Sequence, residues 1–223
     1  VSADHIQQAL RFAREGAVQG RSFPEGAVGA GRGMCCYSLK GGIGSASRAV
    51  DEYTIAALVL TNFGSLVDLR IEGRPVGAEL AEFEEFSKSK KRTQSSQSSK
   101  EQGSVSVVLA TDAPLSSRQL GRLARRASAG LARTGAFIAG GSGEVVVAFS
   151  TAYRIPHFPN QKLLEIPCLH EDLLDRLFLG TVESVEEAVL NSMITAEKVE
   201  GRKGHVRYSL GDYLGKLGYQ AGG

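Results

Sequence analysis

Gly103-Ser104 is the pair of residues in this chain best placed to do chemistry. Upstream, the run 87–103 (SKSKKRTQSSQSSKEQG) carries no apolar side chain, and downstream Val105 to Ala110 is an apolar run broken only by Ser106. A glycine lets the backbone distort, and a serine hydroxyl can attack the carbonyl just before it, so the bond reads as a self-cleavage site. Cleavage would make Ser104 an N-terminus carrying both a hydroxyl and an α-amine, whose intrinsic pKa of about 7.7 to 8.0 suits a general base at neutral pH. One residue could then supply nucleophile and base for acyl transfer, forming an acyl-enzyme on Ser104 that water hydrolyses. No histidine is required, and the 4 histidines of the chain cluster with nothing.

Such a nucleophile needs partners. Asn62 follows the apolar run Tyr53 to Leu60 and could either cap the turn there or aim its amide donors at a developing oxyanion. Ser142 and Glu144 bring a hydroxyl and a carboxylate two residues apart, and on a strand that spacing means one face. Asn62, Ser142 and Glu144 come from separate segments and have to converge on Ser104.

Residues 4–16 repeat Ile6, Leu10, Ala13 at helical spacing behind a Ser2 or Asp4 cap. The block from Gly26 to Arg48 is so rich in glycine that it predicts short strands with close backbone approaches. It is not a nucleotide loop: after Gly29 and Gly31 the third fingerprint glycine would fall at Met34, and Lys40 lacks phosphate-loop spacing. Tyr53 to Leu60 predicts a strand buried on both faces, Leu66 to Ile71 a second strand, and Glu72 to Pro75 a turn. The polar run 87–103 is a solvated linker, because it has nothing to bury that would offset its ordering entropy.

Beyond Ser104, the strand Val105 to Ala110 leads to a helix that opens on the capping-box pair Ser116 and Gln119 and runs to Arg133. Its arginines, Arg118, Arg122, Arg125, Arg126 and Arg133, predict a solvated face or intersubunit ion pairs rather than DNA contacts. Gly135 to Thr151 reads as a hairpin with Ser142 and Glu144 at its tip, Leu173 to Val199 as a helix, and the tail from Gly201 as polar.

Composition sets the outer limits. The 223 residues carry a formal net charge of +2, too small to argue for nucleic acid, and no apolar run is long enough to span a bilayer. Cys35, Cys36 and Cys168 are too few and too badly spaced for a zinc site or a disulfide framework, and read as reduced, buried thiols. No signal peptide opens the sequence, so a cytoplasmic location is expected.

Five ordered blocks, GAVGAGRGMCCYSLKGGIGSASR, LVLTNFG, GSVSVVLATDAPLSSRQLGRLARRASAGLARTG, GSGEVVVAFSTA and TVESVEEAVLNSM, closely resemble the L-aminopeptidase/D-esterase family, which includes the β-aminopeptidases. The resemblance implies an α/β fold, an αββα four-layer sandwich like that of the N-terminal nucleophile hydrolases with a different connectivity. It implies a precursor that cleaves itself between Gly103 and Ser104, giving an α chain (1–103) and a β chain (104–223) within one domain, assembled as a homo-oligomer. It places the nucleophile on Ser104, the oxyanion asparagine on Asn62, and the pair assisting the nucleophile's amine and hydroxyl on Ser142 and Glu144. The substrates would be short peptides, amino-acid amides or esters, with no metal, cofactor, nucleic acid or membrane.

Two departures stand out. The family carries a further N-terminal region, with a tyrosine near the oxyanion and an acidic group for the substrate's amine, that this sequence does not contain. Arg32 stands where a small hydroxyl residue is expected. Two other readings remain open at this point: an acyltransferase of the ornithine acetyltransferase type, against which the serine nucleophile counts because those enzymes use threonine, and a truncated non-catalytic subunit.

Overall fold

Three segments, 53–60, 105–110 and 145–149, are nearly continuous apolar runs, so each must bury at least one face. A computed structural model describes residues 2–19, 23–83, 103–158 and 161–219 and shows how that burial is achieved. In chain order the elements are α1 (Ala3–Gln19), the short strands β1 (Cys35–Cys36) and β2 (Leu39–Lys40), β3 (Ile43–Val50), β4 (Tyr53–Asn62) and α2 (Val76–Leu80). They continue as β5 (Gly103–Thr111), α3 (Ser117–Arg133), β6 (Ser142–Ser150), α4 (Leu174–Ile194), β7 (Val199–Glu200) and β8 (Val206–Arg207).

The main sheet has the order β3-β4-β5-β6. Its first two pairings are antiparallel and the third, β5 with β6, is parallel. A parallel pair cannot be closed by a tight turn, and α3 is the crossover that returns the chain to the start of β6. Helices α3 and α4 pack together against one face of the sheet. Between the layers lie Ile55, Ala57, Val59, Val105, Val107 and Leu109 from the strands, with Leu123, Ala127, Leu131, Val185, Ala188 and Val189 from the helices.

Among the described residues the other face of the sheet is open. Leu58, Val145, Val147 and Phe149 point out of it and remain 39% to 61% exposed. The described residues thus build one helical layer and one sheet of the expected αββα arrangement. Tyr53 to Leu60, expected to be buried on both faces, lies in Tyr53–Asn62 and is buried on one, and so is Gly103–Thr111; their side chains alternate between the helix layer and the open face.

Four further expectations change. Leu66–Asp68 is a 3-10 turn and Ile71 makes a lone bridge to Arg74, because Leu69 and Ile71 reach the core while the Arg70 N–H donates to the Thr134 carbonyl. No hairpin forms around 140–144: Ser142–Ser150 pairs with β5, a partner supplied from outside the segment. The tail is not wholly polar, since Leu210, Tyr213 and Leu217 are buried, and Cys168 is exposed rather than buried.

The capping box forms as read: the Ser116 hydroxyl accepts from the Gln119 N–H, and the Ser116 N–H donates to the Gln119 side chain. Four of the five arginines of α3 are taken up within the chain: Arg118 and Arg122 by Glu171, Arg133 by Glu186, and Arg126 on the Phe178 ring at 4.3 Å. The linker reading, for residues 87–102, lies outside the described residues. Among the described residues no helix is long and apolar enough to cross a membrane.

Candidate active site at the foot of the central strand

Strand pairing brings three segments to one end of the sheet. Ser104, second residue of β5, is directly opposite Asn62 on β4 and Gly143 on β6, while Gly103 is opposite Ser142 and Val105 opposite Glu144. Residues paired in this way share a face. Ser104 and Asn62 therefore project from the open face, and a Cβ built on Gly143 would stand 4.0 Å from that of Ser104. Ser142 and Glu144 share the opposite face, on either side of the Ser104 position, with the Ser142 hydroxyl donating to Glu144 Oε1 at 2.5 Å. The same-face expectation for Ser142 and Glu144 holds. The four side chains meet at one strand end but from two sides of the sheet, and no described residue hydrogen-bonds the Ser104 hydroxyl.

The amide nitrogen of Ser104 lies in the plane of the sheet, between its two faces. If the bond to Gly103 is cut, that nitrogen becomes a free terminus, and Ser104 is no longer held by the preceding peptide.

Gly103 fits where a larger residue would not. A Cβ there would come within 2.7 Å of the Asn62 carbonyl oxygen and 2.8 Å of the Phe63 Cα. The peptide before Ser104 is thus pressed against the end of β4 by the absence of a side chain.

Asn62 is held with equal care. Its Oδ1 accepts the Cys35 N–H at 3.2 Å, and this fixes which side of the amide is oxygen, leaving Nδ2 as the free donor. The turn joining β1 to β2 places Tyr37 and Ser38 at φ 49 and 63, a conformation costly for side chains with a Cβ. Burial stabilises it: Tyr37 is fully enclosed, its N–H donates to the Phe63 carbonyl, its hydroxyl bonds Thr134, and its ring meets Phe63 edge-on. The residue after Asn62 is therefore clamped from the hairpin side.

Behind Asn62, Thr61 bonds the Ser192 hydroxyl of α4 at 2.8 Å, and the buried Cys36 thiol is pushed up to about 12 by desolvation, against which hydrogen bonds from Thr61 and Phe63 act. Such a thiol is inert at neutral pH. The glycine block serves close approach, as expected: a Cβ on Gly42 would lie 1.9 Å from the Gly26 carbonyl oxygen. Lys40, which lacks phosphate-loop spacing, is 2% exposed and buried among these glycines. The block around it also carries Arg32 and Arg48, so its charge alone does not mark it out in the sequence. Among the described residues no group of three His, Cys, Asp or Glu side chains could hold a metal ion.

Known proteins share this arrangement of segments. Residues 1–207 match the profile of peptidase family S58. The chain is 37% identical over 212 residues to the beta-peptidyl aminopeptidase BapA of Sphingosinicella microcystinivorans, covering 92% of this chain and 52% of that protein. It superposes on the PH0078 protein of Pyrococcus horikoshii with a TM-score of 0.75 at 46% identity, covering 88% of this chain and 52% of the other. On the L-aminopeptidase D-Ala-esterase/amidase of Ochrobactrum anthropi, described as a prototype of the serine aminopeptidases and a new variant of the Ntn hydrolase fold, the TM-score is 0.74. That match has 38% identity and covers 89% of this chain and 54% of the other. The chain spans about half the length of each of these relatives. With nearly its whole length matched to one family profile and its fold matched to a serine aminopeptidase, the chain belongs to peptidase family S58.

Proposed function

We propose that this chain is the catalytic part of a self-processing aminopeptidase that releases N-terminal residues from short peptides, amides or esters. The observation that carries the reading is the register at the foot of β5, which sets Ser104 opposite Asn62 and brings the bonded Ser142–Glu144 pair alongside Gly103 and Val105. The relatives' names, a beta-peptidyl aminopeptidase and an L-aminopeptidase, support the same reaction class.

In self-processing, Ser104 Oγ attacks the Gly103 carbonyl carbon and gives up its proton to the Ser142–Glu144 pair, reached around the end of the strand. The tetrahedral centre collapses as the Gly103–Ser104 C–N bond breaks and the nitrogen takes a proton. Water then hydrolyses the resulting ester, leaving a Gly103 carboxylate and a Ser104 with free hydroxyl and amine. In turnover, the same hydroxyl attacks the substrate carbonyl with the α-amine as base, and Glu144 holds that amine in place. Asn62 Nδ2 donates to the oxyanion, a role whose loss typically lowers kcat by about 10²- to 10³-fold. The leaving amine departs and water releases the acyl group. Cleaved chains assembled as a homo-oligomer complete this reading.

The test uses the full-length protein. Intact mass and N-terminal sequencing should give a fragment beginning Ser-Val-Ser-Val, and Ser104→Ala should stay at full mass without activity. A fragment with another N-terminus, or an active Ser104→Ala, would refute the assignment of Ser104.

A further inference from the structure

Lys40 is a buried cation without a carboxylate partner among the described residues. Its ammonium donates to the carbonyl oxygens of Gly31 at 2.8 Å, Met34 at 2.6 Å and Gly41 at 2.6 Å. Three acceptors use three N–H groups, the full set of a protonated lysine, whereas a neutral amine has one fewer. Burial lowers its pKa, the neighbouring Cys35 acts the other way, and Arg32 adds to the fall. The three carbonyls oppose that fall because they solvate the charged form.

The Met34 carbonyl belongs to the same peptide unit as the Cys35 N–H. That unit is planar and trans, so its C=O and N–H point in opposite directions. At one end it accepts from Lys40 Nζ at 2.6 Å, and at the other it donates to Asn62 Oδ1 at 3.2 Å. The Asn62 side chain repeats the pattern, with its oxygen toward Cys35 and its Nδ2 away from it. Amides linked in series polarise one another, and a cation at the head strengthens the donor at the tail.

We propose that Lys40 is a positioning residue that acts through the Met34–Cys35 peptide to orient the Asn62 amide and strengthen Nδ2 as an oxyanion donor. This rests on the assignment of Asn62 made above. The alternative, a lysine that merely holds the glycine loop together, predicts a loss of stability unrelated to Asn62.

The experiment is a double-mutant cycle in the full-length protein, with kcat counted per Ser104 N-terminus on an aminoacyl p-nitroanilide. Asn62→Ala is expected to lower kcat about 10²-fold, and Lys40→Met about 10-fold with KM unchanged. In the Asn62→Ala background Lys40→Met should cost less than about 2-fold, because the group it acts through is gone. An equal cost in both backgrounds, or a loss confined to KM, overturns the relay and leaves Asn62 in its role. An Asn62→Ala enzyme with normal kcat overturns the Asn62 assignment, and the relay with it.

If Lys40→Met does not fold, a measurement on the wild-type protein decides. The Cys35 amide proton should be shifted downfield and protected from hydrogen exchange, whereas a freely exchanging Cys35 amide overturns the relay.

Discussion

At the scale of single residues, the proposed chemistry depends on groups that are inert by themselves. A serine hydroxyl, an asparagine amide and a glutamate become a candidate site through contacts that remove their freedom: Gly103 pressed on the Asn62 carbonyl, Cys35 on Asn62 Oδ1, Ser142 on Glu144. Two predictions follow at this scale. Glu144→Gln should lower kcat by about 10²-fold or more with KM little changed, because it removes a proton-handling and amine-orienting group but no binding surface. Unchanged kcat would remove Glu144 from the site. Gly103→Val should slow or stop self-cleavage, followed as loss of the two-band pattern on a denaturing gel, because its side chain cannot occupy the space against Asn62 and Phe63. Cleavage at the wild-type rate would mean that the close approach has no role.

At the scale of elements, α3 sets the crossover that makes β6 parallel to β5 and so delivers Ser142 and Glu144. Its first turn is closed by the Ser116–Gln119 box, and Ser116→Ala should cost about 1 kcal/mol in chemical unfolding. A loss near zero would mean that tertiary packing alone fixes the start of the helix. The same end of α3 is tied to Glu171, whose carboxyl is held below the usual carboxylate range first by its hydrogen bond to Arg118, with Gln119 and Arg122 adding to the effect. A depressed carboxyl contributes stability that is present above its unfolded pKa and is lost as pH falls through the folded one. Glu171→Gln should therefore flatten the acid side of the stability-pH curve. An acid limb identical to wild type would show that the Arg118–Glu171–Arg122 cluster is too solvated to matter.

At the scale of the whole molecule, one face of the sheet is covered by α3 and α4 and the other presents Leu58, Val145, Val147 and Phe149 to solvent. In an αββα sandwich that face meets a second sheet. Residues 1–223 expressed alone should bind a hydrophobic dye strongly, and Val147→Ser with Phe149→Ser should reduce the signal; weak binding by the unsubstituted chain would mean that the face is covered in solution. Ser104 stands at the foot of this open face, so anything that covers the sheet also comes close to the candidate nucleophile.

Much of the local structure was legible in the sequence, and the reason is range. The capping box, the α3 and α4 stripes, the same-face spacing of Ser142 and Glu144, and the Gly103-Ser104 boundary are each encoded within a few residues, where helix and strand periods operate. The pairing of strands was not legible in this way. Ser142–Ser150 read as half of a hairpin because its partner is 39 residues back in the chain, beyond a helix, and apolar runs look alike whether their partner is adjacent or distant. For the same reason sequence could bring Asn62, Ser104 and Glu144 together without saying from which side of the sheet each arrives. The burial of Lys40 was missed because its three partners are backbone carbonyls, which exist at every residue and leave no mark on composition. Residue types and their local spacing are enough to name the groups available for chemistry; which strand stands beside Ser104, which face each group occupies, and the path from a buried ammonium to Asn62 through a single peptide come only from the folded chain, because they depend on contacts between segments far apart in sequence.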